Sequence, residues 1–268
     1  MTRDAGLNRV ASFARCDRIA TDWTNSTTMI NFERIWTRLP LLALLAVVLI
    51  TATAGCGGGG SSSSLPPPSP DDYFYNVLVN GKVIRWTRMP VGVYIDQTDL
   101  PPSWKPEHRT FVEDAMQAWS DASEGKLAFT TIASESYPCI TVRWVTDSPL
   151  GNDPPTIGAA ELVSITIAGR QYIKEVRIEL ATTRYGRPLS DTIMKCISLH
   201  ELGHAVGLWG HSDDDGDIMF EQVGNTTSVS ARDQATLVKL YSVSPDVYEM
   251  PVSRGPEAEE ETSVIIMP

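Results

Sequence analysis

Apolar and polar positions alternate with a changing period along the chain, and each change of period marks an element. Val93, Tyr94 and Ile95 make a short β-like run after Pro90. Val112, Ala115, Met116 and Trp119 then recur at helical spacing, which predicts a helix over 106–123 with one apolar face. Pro106 and Glu107 suit its first turn, and Gly125 stands just past its end. Strand-like runs follow at 127–132 and 140–145, before a stretch over 147–156 rich in Asp, Pro, Gly and Asn that reads as a loop. A weaker run over 157–167 and a clear alternation of Val176, Ile178 and Leu180 predict two more strands. A second helix is expected over 191–206 behind a cap at Ser190. A third fits 231–240, where Ala235, Leu237 and Leu240 give a partial apolar face. This order of elements is an α/β (α+β) layout, with one mixed sheet and three main helices in a domain spanning 73–243.

The flanks have a different texture. Residues 39–52 form an apolar run too short to span a bilayer, preceded by Arg34 and Arg38 and followed by Thr53, Ala54, Gly55 and Cys56. A basic flank, a short apolar core and a small-residue exit make an export signal over 29–56. The polar, unpatterned residues 1–28 read as a non-native extension ahead of Met29. The Ala54-Gly55-Cys56 ending resembles a bacterial lipoprotein signal, which implies lipidation at Cys56. The chain is thus expected to be exported, as a cell-envelope lipoprotein or a secreted protein. Residues 57–72, rich in Gly, Ser and Pro, read as a linker. From 244 to 268 the chain is acidic and is expected to be disordered, with Val264–Met267 as a small apolar end.

Charge narrows the range of partners. The net charge is −11, and beyond residue 56 there are 16 basic residues against 29 acidic ones. Such a chain repels a phosphate backbone, so nucleic acid is not an expected partner. Membrane contact is expected only through an N-terminal lipid anchor; the sequence says nothing of oligomeric state. Of the four cysteines none forms a C-x-x-C pair, which argues against a thiolate metal site. Cys139 and Cys196 fall inside the domain, and two outcomes stay open for them: a disulfide in an exported chain, or two buried thiols.

The candidate chemistry lies in residues 200–211, His-Glu-Leu-Gly-His-Ala-Val-Gly-Leu-Trp-Gly-His. On a helix, His200 and His204 are four apart and project from one face, close enough to share an ion. Three protein nitrogens leave a zinc ion one open position, which is the catalytic arrangement. Glu201, beside the first histidine, is placed to take a proton from water and pass it to a leaving amine. A third ligand at His211 cannot return along a continuing helix. Gly207 permits the turn, because helices commonly end on a glycine in the left-handed conformation. Three of the chain's four histidines lie in this segment. Asp213, Asp214, Asp215 and Asp217 leave calcium open, but the spacing is not that of an EF-hand, and a turn leading to Met219 is the simpler reading.

The segment resembles the metzincin zinc peptidases, and within them the matrixin branch, through the three histidines, the glutamate, Gly207 and Ser212 after the third histidine. That resemblance implies a mixed, mostly parallel twisted sheet with zinc in a cleft on the active-site helix. It also implies one catalytic zinc, a methionine turn with Met219 beneath the metal, and a peptide or protein substrate. The run Gly158–Leu162 would be the edge strand above the cleft, with which a substrate pairs as an added strand. Glu221 stands where matrixins usually carry Pro, two places after the methionine. With His108 the only histidine left, the second, structural zinc of animal members is not expected. The function expected is that of a zinc-dependent endopeptidase. The alternatives are a non-catalytic zinc-containing binding domain and a narrow-specificity amide hydrolase of the cell envelope.

Overall fold

A first helix, α1 (Pro106–Ala122), forms because its apolar positions line one side; Val112, Ala115, Met116 and Trp119 are all buried. It packs against α2 (Asp191–Ala205), and the Trp119 indole donates to the Leu199 carbonyl of that helix at 2.8 Å. The structure, a computed structural model, describes residues 65–147, 149–151, 156–252 and 261–267. The N-terminal extension, the export signal with Cys56 and the tract 57–64 lie outside the described residues. No helix among the described residues is long and apolar enough to cross a membrane.

The main sheet is built from β1 (Val91–Ile95), β2 (Phe129–Ile132), β3 (Cys139–Val145), β4 (Gly158–Ile167) and β5 (Arg170–Ala181). Its order is β2-β1-β3-β5-β4, with parallel pairing except where β4 runs antiparallel to β5. The β4–β5 hairpin closes through Ala168 and Gly169, both at positive φ, as a tight two-residue turn requires. A small ribbon of β6 (Thr183–Arg184) and β7 (Arg187–Pro188) leads into α2, and α3 (Ala231–Leu240) follows the site. Side chains alternate across the strands. Ile140, Val142, Trp144, Val176, Ile178 and Leu180 join the core shared with the helices. The opposite face carries charged pairs, Arg143 with Glu179 and Arg177 with Glu161 across strands and Arg177 with Glu175 along β5.

Each predicted element is present, with ends moved by a few residues: α1 and α2 stop one residue early, and β5 starts at Arg170. Two flanking expectations are corrected. The linker reading fails over 65–72: Leu65 packs against the core, Asp72 pairs with Lys239 at 2.9 Å, and the Tyr75 hydroxyl donates to the Pro66 carbonyl. A proline-rich stretch without a core of its own is ordered by docking on one. The disordered-tail reading fails as well for the described residues, 244–252 and 261–267. Val247 and Met250 are buried, and residues 246–250 exchange backbone hydrogen bonds with Val83, Arg85 and Ile173. Beyond them Glu261–Met267 forms a further strand, β8, on the outer edge of β4.

The cysteine question resolves as two free, buried thiols. Cys139 shares its sheet face with Thr141 and Arg143, away from the helices, whereas Cys196 sits on α2. The sheet lies between the two thiols.

Candidate metal centre

The α2 helix begins as expected, with the Ser190 hydroxyl accepting from the Ile193 amide at 3.3 Å. Its end decides the site. Gly207 adopts φ +116°. The Gly207 amide bonds the His204 carbonyl at 2.9 Å and the Leu208 amide bonds the Gly203 carbonyl at 3.1 Å, which together make a Schellman cap. A Cβ on Gly207 would also lie 2.8 Å from the Ile84 carbonyl oxygen. Both conformation and space therefore require glycine. The chain then doubles back, and the rings of His200, His204 and His211 come together with centroids 4.8, 5.3 and 5.0 Å apart.

The three imidazoles form a donor set. His200 Nδ1 bonds the Ile218 carbonyl at 2.7 Å, and His204 Nδ1 bonds the Leu208 carbonyl at 2.6 Å. A carbonyl can only accept, so each Nδ1 carries the proton and each Nε2 presents a lone pair. Those two Nε2 atoms face each other at 3.1 Å. Two lone pairs at that distance repel unless a cation lies between them. His211 Nε2 is buried without a protein partner, and one ligand atom from each of the three residues falls within 4.8 Å of the others. Burial holds the His200 ring down at about 4, helped by its neighbour His211, and depresses His204 and His211 as well. The rings are therefore neutral near pH 7 and free to bind metal. The residues fit a zinc ion in number, donor type and protonation.

Glu201 completes the arrangement. It is 3% exposed, and one carboxylate oxygen, Oε2, has no partner. Burial alone pushes its carboxyl well above the usual range, so it stands ready to hold a proton. Its other oxygen lies against the start of β4, where a Cβ on Gly158 would come within 2.2 Å of Oε1.

The segment Asp217-Ile218-Met219 meets the site through the bond from His200 to the Ile218 carbonyl. Met219 is fully buried, and a Cβ on Gly203 would come 2.3 Å from its sulfur. The glycine inside the His-Glu-Leu-Gly-His run thus makes room for the methionine. Three of the four aspartates before Met219 serve the turn. Asp217 accepts from Ser212 and Ser230 at 2.5 Å each, and Arg232 bridges Asp213, Asp214 and Asp217.

Three further residues, Asp233, Gly210 and Asn76, position the site. Asp233 caps α3 through the Ser230 amide at 2.9 Å, accepts from the Ile218 amide at 2.9 Å, and accepts from the Tyr73 hydroxyl at 2.5 Å. The capping-box pattern Ser230-x-x-Asp233 was the available signal. Gly210 passes so close to Asn76 that a Cβ would sit 1.9 Å from its carbonyl oxygen, and the Asn76 side chain in turn donates to the His211 carbonyl at 3.1 Å. No local pattern announces that contact. Trp209, which could have lined the cleft, is instead 2% exposed and donates to the Ile84 carbonyl. His108 is also buried, packed between Trp104 and Phe111 and far along the chain from the triad.

Compared with known families, residues 85–242 match the model described as matrixin, Peptidase_M10. A search among curated proteins found no match.

Proposed function

Since the chain belongs to the matrixin family of zinc metallopeptidases, whose model spans more than half of it, we propose that it is a zinc-dependent endopeptidase with Glu201 as its general base. The observation that carries this reading is the convergence of three free imidazole nitrogens beside a buried carboxylate with an unpartnered oxygen. His200, His204 and His211 would hold the ion. When bound there, zinc supplies a Lewis acid that acidifies water and polarises the scissile carbonyl. Glu201 Oε2 takes the proton from the attacking water, and the same atom delivers it to the amine that leaves. The raised affinity of this buried carboxyl for a proton suits both transfers. Hydrogen bonds from His200 and His204 to fixed carbonyls keep the rings oriented, and Met219 seals the floor beneath them. Peptide or protein substrates follow from the family's chemistry. We place the protein outside the cytoplasm on the export signal over 29–56, held at the envelope if Cys56 is lipidated.

The test is hydrolysis of an unstructured protein such as casein by the full chain, with zinc and with chelator, beside Glu201→Ala. Chelator-sensitive cleavage is expected in the parent, with a loss of about 10²–10⁴-fold in the variant at unchanged zinc content. One bound zinc without cleavage of casein or of any peptide pool would shift the reading to a zinc-containing binding domain or a selective amide hydrolase.

A further inference from the structure

Strand β8 carries information about what the site accepts. It pairs antiparallel with β4 along seven positions, from Glu261 opposite Thr166 to Met267 opposite Ala160. Without β8, β4 would be the sheet's free edge, with a row of unpaired amides and carbonyls ready to take an extended chain. With β8 in place, every residue of β4 from Gly158 to Ile165 is buried.

Direction matters here. The start of β4 abuts Glu201 through Gly158. A chain running antiparallel to β4, from Thr166 towards Gly158, is therefore aimed at Glu201 and the three histidines. Met267 lies opposite Ala160, two positions short of Gly158, or about 7 Å along the strand at roughly 3.4 Å per residue. Residues 261–267 thus take the places of the residues that precede a scissile bond.

We propose that Glu261–Met267 is an intramolecular occupant of the peptide-binding edge of β4, competing there with substrate. The claim that occupancy suppresses hydrolysis rests on the peptidase reading above; the claim of occupancy does not. The sequence of the segment, Glu-Thr-Ser-Val-Ile-Ile-Met, is rich in β-branched residues that favour extended backbone. Ile265 and Met267 take register positions opposite Leu162 and Ala160, which belong to the core shared with the helices. The edge accordingly fits extended aliphatic peptides. The chain is anchored just upstream, where the Met250 amide donates to the Ile173 carbonyl at 2.8 Å. Ten residues separate that anchor from Glu261. So short a tether gives an effective concentration on the order of mM, enough for a modest strand to outcompete dilute substrate.

The experiment compares the full chain with a double variant, Val264→Pro and Ile265→Pro. Successive amides of a strand point to opposite sides, so one of the two prolines removes a donor facing β4 whatever the register of hydrogen bonds. Three readouts are taken: amide exchange over 159–166, binding of a fluorescent peptide with the sequence 261–267, and kcat/KM on an extended aliphatic peptide. Occupancy predicts exchange at least tenfold faster in the variant, peptide binding to the variant and not the parent, and a rise in kcat/KM of at least tenfold. Unchanged exchange, or equal peptide binding by both chains, overturns the proposal. Gained binding with hydrolysis equal in both overturns the inhibitory role. Gained binding with no hydrolysis by either chain upholds occupancy and fails the peptidase reading instead.

Discussion

Single residues set the geometry at this centre by what they lack as much as by what they carry. Gly158, Gly203, Gly207 and Gly210 each occupy a place where a Cβ would meet a neighbour under 3.0 Å away. Of these, Gly207 and Gly210 oppose backbone, which cannot swing aside as a side chain could, and Gly210 comes nearer, to the Asn76 carbonyl. Gly210→Ala should therefore push the loop off residues 76–77 and pull His211 from the triad. Zinc affinity, measured by competition with a chromophoric chelator, is expected to fall by at least tenfold. Gly224→Ala, where a Cβ would come no nearer than 4.0 Å to a neighbour, is the control and should leave affinity unchanged.

At the scale of elements, the strip over 245–250 is stitched to the segment before β1. Glu249 accepts from the Thr87 amide at 2.9 Å, the Thr87 hydroxyl at 2.7 Å and Arg88 at 2.9 Å. Burial pushes its carboxyl up, but bonds from Thr87, from its own and the Thr87 backbone amides, and from Arg88 outweigh that and hold it below the ordinary value. A depressed folded value means that the stabilisation is fully present above the unfolded value, about 4.3, and is lost as pH falls through the folded one. Glu249→Gln should thus cost about 1–3 kcal/mol at pH 7. The gap between parent and variant should close as pH drops below about 4. Chemical denaturation across that range checks both parts; a gap independent of pH would mean that the Glu249 charge contributes nothing.

For the whole molecule, the triad ties together α2, the loop at Gly210 and, through Ile218, the segment capped onto α3. A cation that binds only when these are assembled stabilises them all. Zinc at 100 times its dissociation constant adds about 2.7 kcal/mol, which for a domain of this size raises Tm by about 5–10 °C. Calorimetry with zinc and with chelator should show that difference in the parent and not in His204→Ala.

Much of the fold was legible along the chain because its elements are local. Helical spacing in 106–123 and alternation in 174–180 reflect which side of one segment meets the core, and capping at Ser190 and the turn at Gly207 are written within a few residues. The three histidines, Glu201 and Gly207 were legible for the same reason, since one helix end brings them together. What the sequence could not decide depends on segments far apart. Cys139 and Cys196 are kept apart because the Cys139 side chain leaves β3 on the face away from α2, which carries Cys196, and Gly210 is constrained by a carbonyl from residue 76. Asp233 reaches Ile218 and Tyr73 only once α3 has docked. The tail looked disordered because its charge dominates its composition. Only the tertiary fold supplies the outer edge of β4, whose backbone gives a short aliphatic segment somewhere to pair.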